Sequence, residues 1–260
     1  MAVSRTSSEP APLVFAHRGA SAELPEHTLA AYRAAIDAGV DGVECDVRLT
    51  RDGHLVCFHD RRLDRTSSGT GPLSQFTLSQ LQQLDYGSWH STGEPAGLLT
   101  LDDLLVECQK ASRPIRVLVE TKHPNRFGGA VEYRLRLTLH RHGLLDGNSD
   151  VKVTMMSFSP LAVRRGRDLM PRIPTVLLLD RLPPGVRVRR LPFGTRIAGP
   201  GLELVRKRPA IVRALQAGGQ KVYVWTVNDP EDVEMVVSLG VDGIITDRPK
   251  DVLAQLRPEV

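Results

Sequence analysis

The sequence predicts an α/β fold in which eight parallel strands close into a barrel. Three observations carry this: apolar runs of strand length recur along the chain, helical stretches separate them, and all fall within 260 residues. Strands alternating with helices are the pattern of repeated βα units and a parallel sheet. Eight such strands in about 250 residues favour closure over an open sheet. Composition offers no place to divide the chain, so a single domain is expected over 12–260, behind a flexible tail at 1–11.

The strands are expected at 12–16, 41–45, 115–120, 151–156, 174–179, 195–198, 222–225 and 243–246, each a short run rich in Val, Ile, Leu or Met or bounded by turn residues. Helices are expected at 27–38, 101–110, 129–142, 160–168, 208–217, 230–239 and 249–256. Several of these start after Ser or Asp and stop at Gly39, Gly143, Gly218 or Gly240. Two regions break the rhythm. Residues 61–99 are rich in Ser, Gly, Thr, Gln and Asp, with a short helix at 78–84, and read as an insertion after the second strand. Loops of that length are often functional lids or caps. Residues 181–196 place five arginines and three prolines where the fifth helix belongs, which reads as an irregular crossover with a solvated basic face.

Composition excludes several classes. With 41% hydrophobic and 25% charged residues the chain is that of an ordinary globular protein. No apolar run approaches the roughly 18 residues of a membrane span, so stable membrane insertion is not expected. The N-terminal segment lacks the apolar centre of a secretory signal, and Cys45, Cys57 and Cys108 are too few and too scattered for a disulfide framework or a thiolate zinc site. A cytoplasmic setting fits. The formal charge of +4 can attract phosphate-bearing substrates. Nucleic acid is not an expected partner, because aromatics are sparse and do not interleave with basic clusters.

The polar exceptions collect at the C-terminal ends of the strands, where barrels of this kind carry their active sites. His17 and Arg18 follow the first strand, Glu44 and Asp46 end the second, Glu120 and Lys122 end the third, and Phe158, Trp225 and Asp247 sit late on others. Residues i and i+2 of a strand share a face, so Glu44 and Asp46 project together while Val43 and Cys45 turn into packing; Glu120 and Lys122 repeat the spacing. Buried carboxylates on one face repel unless a cation lies between them. Glu44, Asp46 and Glu120 therefore read as oxygen ligands for a hard divalent ion, Mg²⁺ or Ca²⁺, with Mn²⁺ an alternative. Zinc suits such an oxygen-rich setting less well. An ion pair with Arg48, Arg51 or Lys122 would account for any one carboxylate alone, but is the weaker account of all three.

His17 and His59 read as a proton-transfer pair, since cleaving a phosphodiester takes a base for the attacking oxygen and an acid for the leaving one. Either could act first. Arg18 and Lys122 are candidates to neutralise phosphate oxygens. For His27, His54, His90, His140 and His142 the expectation is local capping of backbone groups. Phe158 and Trp225 are candidates to line the substrate side, although an aromatic at a barrel mouth is often a packing plug.

The run HRGASAELPEHTLAAYRAAIDAGVDGVECDVRLTRDGHLVCFHD resembles the opening of the glycerophosphodiester phosphodiesterases, in the style of their bacterial, actinobacterial members. Their pattern is HRG, then PENT, then a Glu and an Asp in D-G-x-E-x-D, then HD. Later, VETKHP, MSFSP, VWTVN and GVDGIITDRP resemble further signatures of the family in their order, so that the likeness covers nearly all of 13–250. HRG alone is weak; the ordered set is specific. The resemblance implies a TIM (β/α)8 barrel with a small insertion after the second strand, and hydrolysis of glycerophosphodiesters to sn-glycerol 3-phosphate and an alcohol. By position it implies His17 and His59 as the acid/base pair, Glu44, Asp46 and Glu120 as metal ligands, and Arg18 and Lys122 as phosphate contacts. It further implies a cyclic phosphate formed by a neighbouring glycerol hydroxyl. One departure is His27 where the family has asparagine, at a helix start that need not touch the chemistry, which leaves open whether His27 adjusts the site electrostatically.

The expected partner is thus a small glycerophosphodiester, such as glycerophosphocholine or glycerophosphoethanolamine; a homodimer is left open. A lysophospholipase D-like enzyme is the alternative within the same chemistry, and it needs an apolar groove that Phe76, Leu78, Leu81, Leu84, Tyr86 and Trp89 could supply. A non-catalytic phosphate-binding barrel is the alternative from another class, and it expects loss of a histidine or an acidic ligand where all five are present.

Overall fold

The computed structural model describes residues 11–182 and 188–257, so that all but the last residue of the expected tail, and part of 181–196, lie outside the described residues. Strands β1 (Leu13–His17), β2 (Gly42–Leu49), β3 (Leu55–Cys57), β4 (Ile115–Thr121), β5 (Val151–Ser157), β6 (Thr175–Leu179), β7 (Ile197–Pro200), β8 (Lys221–Val224) and β9 (Gly243–Thr246) form one sheet. All but β3 run parallel in the order β1-β2-β4-β5-β6-β7-β8-β9, and β9 pairs back onto β1, which closes the barrel. Helices α1 (Leu29–Asp37), α2 (Leu78–Leu81), α3 (Leu101–Gln109), α4 (Ala130–Arg141), α5 (Pro160–Leu169), α6 (Leu202–Lys207), α7 (Ala210–Gln216), α8 (Pro230–Ser238) and α9 (Pro249–Leu256) lie between and after the strands. Among the described residues no helix is long and apolar enough to cross a membrane.

The pleat divides each strand between two cores. Val43, Cys45 and Val47 of β2 face the helices in the larger, outer core. Phe15, Leu118, Met156, Val176, Leu178, Ile197, Tyr223 and Ile245 fill the barrel interior. Two residues beyond several of these inner side chains the same face carries polar or aromatic groups: Phe15 precedes His17, Leu118 precedes Glu120, Met156 precedes Phe158, Tyr223 precedes Trp225 and Ile245 precedes Asp247. One two-residue period thus places the apolar plug and, above it, the polar mouth.

Some local expectations are corrected. The second strand runs on to Leu49 and folds back antiparallel as β3, with Val47 opposite Cys57 and Leu49 opposite Leu55. The tight turn between them has Gly53 at φ 85° and a Thr50 to His54 backbone hydrogen bond, which a strand count based on apolar runs passes over. The sixth expected strand, at 195–198, lies two residues later, as β7, and the extra short helix α6 precedes α7. The glycine stop after α7 is Gly219, at φ 79°, with Gly218 at an ordinary angle. Around α2, Val56, Phe58, Leu63, Leu73, Leu81 and Tyr86 are buried together, with Phe76, Leu78 and Leu84 packed against them. The side chains expected to offer an apolar groove are therefore consumed in a small core of their own. Trp89 remains half-exposed, its Nε1–H donating to the Tyr86 carbonyl oxygen.

Candidate active site

His17, the last residue of β1, is fixed by Asp247 just beyond β9: its Nδ1 lies 2.7 Å from Asp247 Oδ1. Ser21 Oγ donates to the same oxygen at 2.9 Å, and Asn228 Nδ2 donates to Asp247 Oδ2 at 2.7 Å. Burial opposes ionisation of Asp247, but the hydrogen bonds from His17, Asn228 and Ser21 prevail and hold it down at about 2. With Nδ1–H committed to a carboxylate, His17 Nε2 is the free nitrogen, 4.0 Å from Glu44 Oε2.

His59 is fixed in the same manner from the other side. Its Nδ1 lies 2.7 Å from Asp60 Oδ1, Arg65 Nε donates to Asp60 Oδ2 at 2.7 Å, and Arg65 grips Glu26 through both terminal nitrogens at 2.8 Å. Arg48 donates to the His59 carbonyl oxygen from Nε and Nη2, at 2.9 and 2.6 Å. Burial, aided by the Lys122 and Arg18 cations, pushes the His59 imidazole down to about 4, against the attraction of Asp46. A phosphate set against Lys122 and Arg18 would cancel their effect and raise it again.

Glu44 and Asp46 of β2 and Glu120 of β4 are buried, with Asp46 in register opposite Glu120. One carboxylate oxygen from each lies within 4.8 Å of the others. Lys122 Nζ is 2.9 Å from both Asp46 Oδ1 and Glu120 Oε1, and Arg18 Nε is 3.1 Å from Asp46 Oδ2. Burial, with the Asp46 carboxylate behind it, drives Glu44 well above the usual range and Glu120 up to about 8. Burial works against ionised Asp46 too, but Lys122, the His27 hydrogen bond and Arg18 outweigh it. Asp46 Oδ1 is buried and makes no well-formed hydrogen bond, although the Lys122 ammonium lies 2.9 Å away. An all-oxygen trio with too little positive charge around it and an orphaned acceptor fits a hard divalent ion.

His27 is the clearest correction. It does not cap the helix: Thr28 does, its hydroxyl accepting from the Ala31 N–H, and α1 starts at Leu29. The chain passes through His27 at φ 60°, which swings the side chain into the mouth, where Nε2 lies 3.0 Å from Asp46 Oδ2 and Nδ1 2.8 Å from Tyr32 Oη. Arg18 is also left-handed at φ 60°, and its N–H donates to the Glu44 carbonyl oxygen and to Glu44 Oε2. Next to it Gly19 is at φ 87°, where a Cβ would sit 2.7 Å from Ala31, so the HRG turn requires glycine. His54 and His142 pair with Asp52 and Asp102, and neither joins the cluster.

His17, His59, Arg18, Glu44, Glu120, Lys122, Phe158 and Trp225 line one cavity of about 120 Å³, and Asp46 sits beneath it among the carboxylates. Phe158 and Trp225 meet edge to face at 5.4 Å, and Trp225 Nε1 donates to the Gly199 carbonyl oxygen at 2.7 Å, so the two form one braced wall. The cavity is well below the roughly 300 Å³ of a pocket for a drug-sized ligand and suits a glycerol-sized group. Sequence reasoning missed Asp60, Glu26, Arg65 and Tyr32. Asp60 had a signal in its adjacency to His59, whereas Arg65, inside a polar insertion, had none.

Two histidines beside clustered cationic and carboxylate groups at a barrel mouth suit the cleavage of phosphate esters. Residues 17–251 match the model of the glycerophosphoryl diester phosphodiesterase family. The chain belongs to that family. It is 47% identical over 246 residues to the probable glycerophosphodiester phosphodiesterase 1 of Mycobacterium tuberculosis, covering 92% of this chain and 90% of the relative. It is 32% identical over 249 residues to a glycerophosphodiester phosphodiesterase of Bacillus subtilis, covering 91% and 84%. A phosphodiesterase from Oleispira antarctica, solved with the product sn-glycerol-3-phosphate, superposes with a TM-score of 0.82 at 27% identity, over 94% of this chain and 96% of that one.

Proposed function

We propose that the protein hydrolyses small glycerophosphodiesters to sn-glycerol 3-phosphate and an alcohol, with a divalent ion at Glu44, Asp46 and Glu120 and proton transfer by His17 and His59. The observation that carries this reading is that two histidines, each held by its own carboxylate, line the same glycerol-sized cavity as Glu44, Glu120, Arg18 and Lys122. The oxygen-only donor set favours Mg²⁺, Ca²⁺ or Mn²⁺. When bound, the ion supplies charge to the phosphate oxygens and lowers the barrier to attack.

The chain's residues do the rest. Arg18 and Lys122 hold the phosphate, and the Phe158–Trp225 wall shelters the glycerol. One histidine takes the proton of the glycerol 2-hydroxyl as that oxygen attacks phosphorus; the other gives a proton to the departing alkoxide as its bond to phosphorus breaks. The two roles exchange when water opens the cyclic phosphate, so the pair ends as it began. A diester built on propane-1,3-diol lacks that hydroxyl and is expected to be a poor substrate.

Consumption of Phe76, Leu78, Leu81, Leu84 and Tyr86 in a small core supports a deacylated substrate over a lysolipid. Assays of glycerophosphocholine and lysophosphatidylcholine on one preparation test this. Activity is expected on the first; equal activity on the second would overturn the choice.

A further inference from the structure

Beside the catalytic cavity lies a second one of about 340 Å³, and Lys122 lines both. Its walls come from β2, from the insertion and from the loop between β4 and α4. Arg48, Arg61, Arg62, Lys122 and Arg126 line it, and among the described residues no aspartate or glutamate does. Arg62 is held by a two-pronged pairing with Asp64 at 3.1 Å. Arg48, Arg61 and Arg126 have no ion-pair partner among the described residues. Arg48 is fixed by its two hydrogen bonds to the His59 carbonyl oxygen, and Arg126 stands over the Phe127 ring at 5.8 Å.

Arg48, Arg61 and Arg126 gather without counter-charges of their own and repel one another, and burial has already lowered the Arg48 pKa despite the distant carboxylates. A cluster of this kind attracts anions, and arginine forks match phosphate oxygens in pairs. A diester whose phosphate rests against Lys122, with its glycerol against Phe158 and Trp225, has its other substituent free to run past Lys122 into this groove. An acyl chain would find three guanidiniums without ion pairs there, those of Arg48, Arg61 and Arg126. We propose that the groove is a subsite for a second phosphate, carried on the alcohol portion of the substrate. The preferred substrates are then glycerophosphodiesters whose alcohol is itself phosphorylated or linked through a further phosphodiester. This rests on the diesterase reading above and narrows its substrate class.

Two matched probes test it: glycerophosphoglycerol, whose alcohol is neutral glycerol, and bis(glycerophospho)glycerol, whose alcohol carries a second phosphodiester. At low ionic strength the metal-loaded protein is expected to favour the second by about tenfold in kcat/KM, the size two partly exposed charge contacts supply. In the Arg61→Ala/Arg126→Ala double variant the preference should fall to about twofold, the statistical factor for the two cleavable ends of the larger probe, with kcat/KM on glycerophosphoglycerol unchanged. Arg126→Glu alone, at an exposed position, should lower the preference in the same direction, with thermal unfolding confirming that both variants fold. A kcat/KM ratio of about two or less between the probes, or a larger preference that survives both variants, overturns the subsite and leaves the diesterase reading standing. Failure to hydrolyse either probe overturns both.

Discussion

Alanine at His17 or at His59 is expected to lower kcat by about 10²- to 10⁴-fold, the contribution of a positioned acid or base. Metal affinity and thermal stability should change little, because neither ring is among the three carboxylates nor fully buried; His17 and His59 side chains are 17% and 34% exposed. The same variants separate the two roles. A glycerophosphodiester of p-nitrophenol needs no proton on its leaving oxygen, so the variant lacking the acid recovers on it and the variant lacking the base does not. Unchanged turnover in either alanine variant would remove that histidine from the chemistry.

The second large effect concerns stability and has the opposite sign to that of an ordinary buried-residue change. Burial and Asp46 raise Glu120 from 4.5 to about 8, so between these pH values the metal-free folded protein holds a proton that the unfolded chain has released. Folded protein binding more protons means that stability falls as pH rises through that window, by on the order of 3 kcal/mol at pH 7. Glu120→Gln should therefore raise the Tm of the metal-free protein at pH 8 and flatten its decline from pH 5. It should also abolish the Tm increase that divalent ions give the parent protein. Metal binding to the parent should release protons near pH 7, and its affinity should rise with pH until Glu120 has titrated. A metal-free Tm that climbs from pH 5 to pH 8 alike in both proteins would contradict this account.

Much of the site is legible in sequence because strand geometry is simple. A two-residue period is enough to put Glu44 with Asp46 and Glu120 with Lys122 inside the barrel while sending Cys45 outward, where it packs in the outer core. What the period does not reveal is backbone that leaves the regular regions. His27 reads as a helix start, and only its positive φ turns the ring onto Asp46. The β3 hairpin hides in an apolar run of three residues. The insertion shows a different limit: its apolar residues can be counted from sequence, but whether they line a groove or pack on one another depends on how an irregular segment folds back. Here they pack, and the groove beside them is basic. Arg65 lies in that segment 39 residues from Glu26, and no local pattern announces that it joins Glu26 to Asp60.

The most direct test is ³¹P NMR of glycerophosphocholine incubated with the purified protein, first stripped by chelator and then resupplied with Mg²⁺, Ca²⁺ or Mn²⁺. Turnover is expected to stop on chelation and return with metal, with sn-glycerol 3-phosphate as the phosphorus-containing product. Undiminished turnover by the stripped protein, or phosphocholine as the product, would contradict the account.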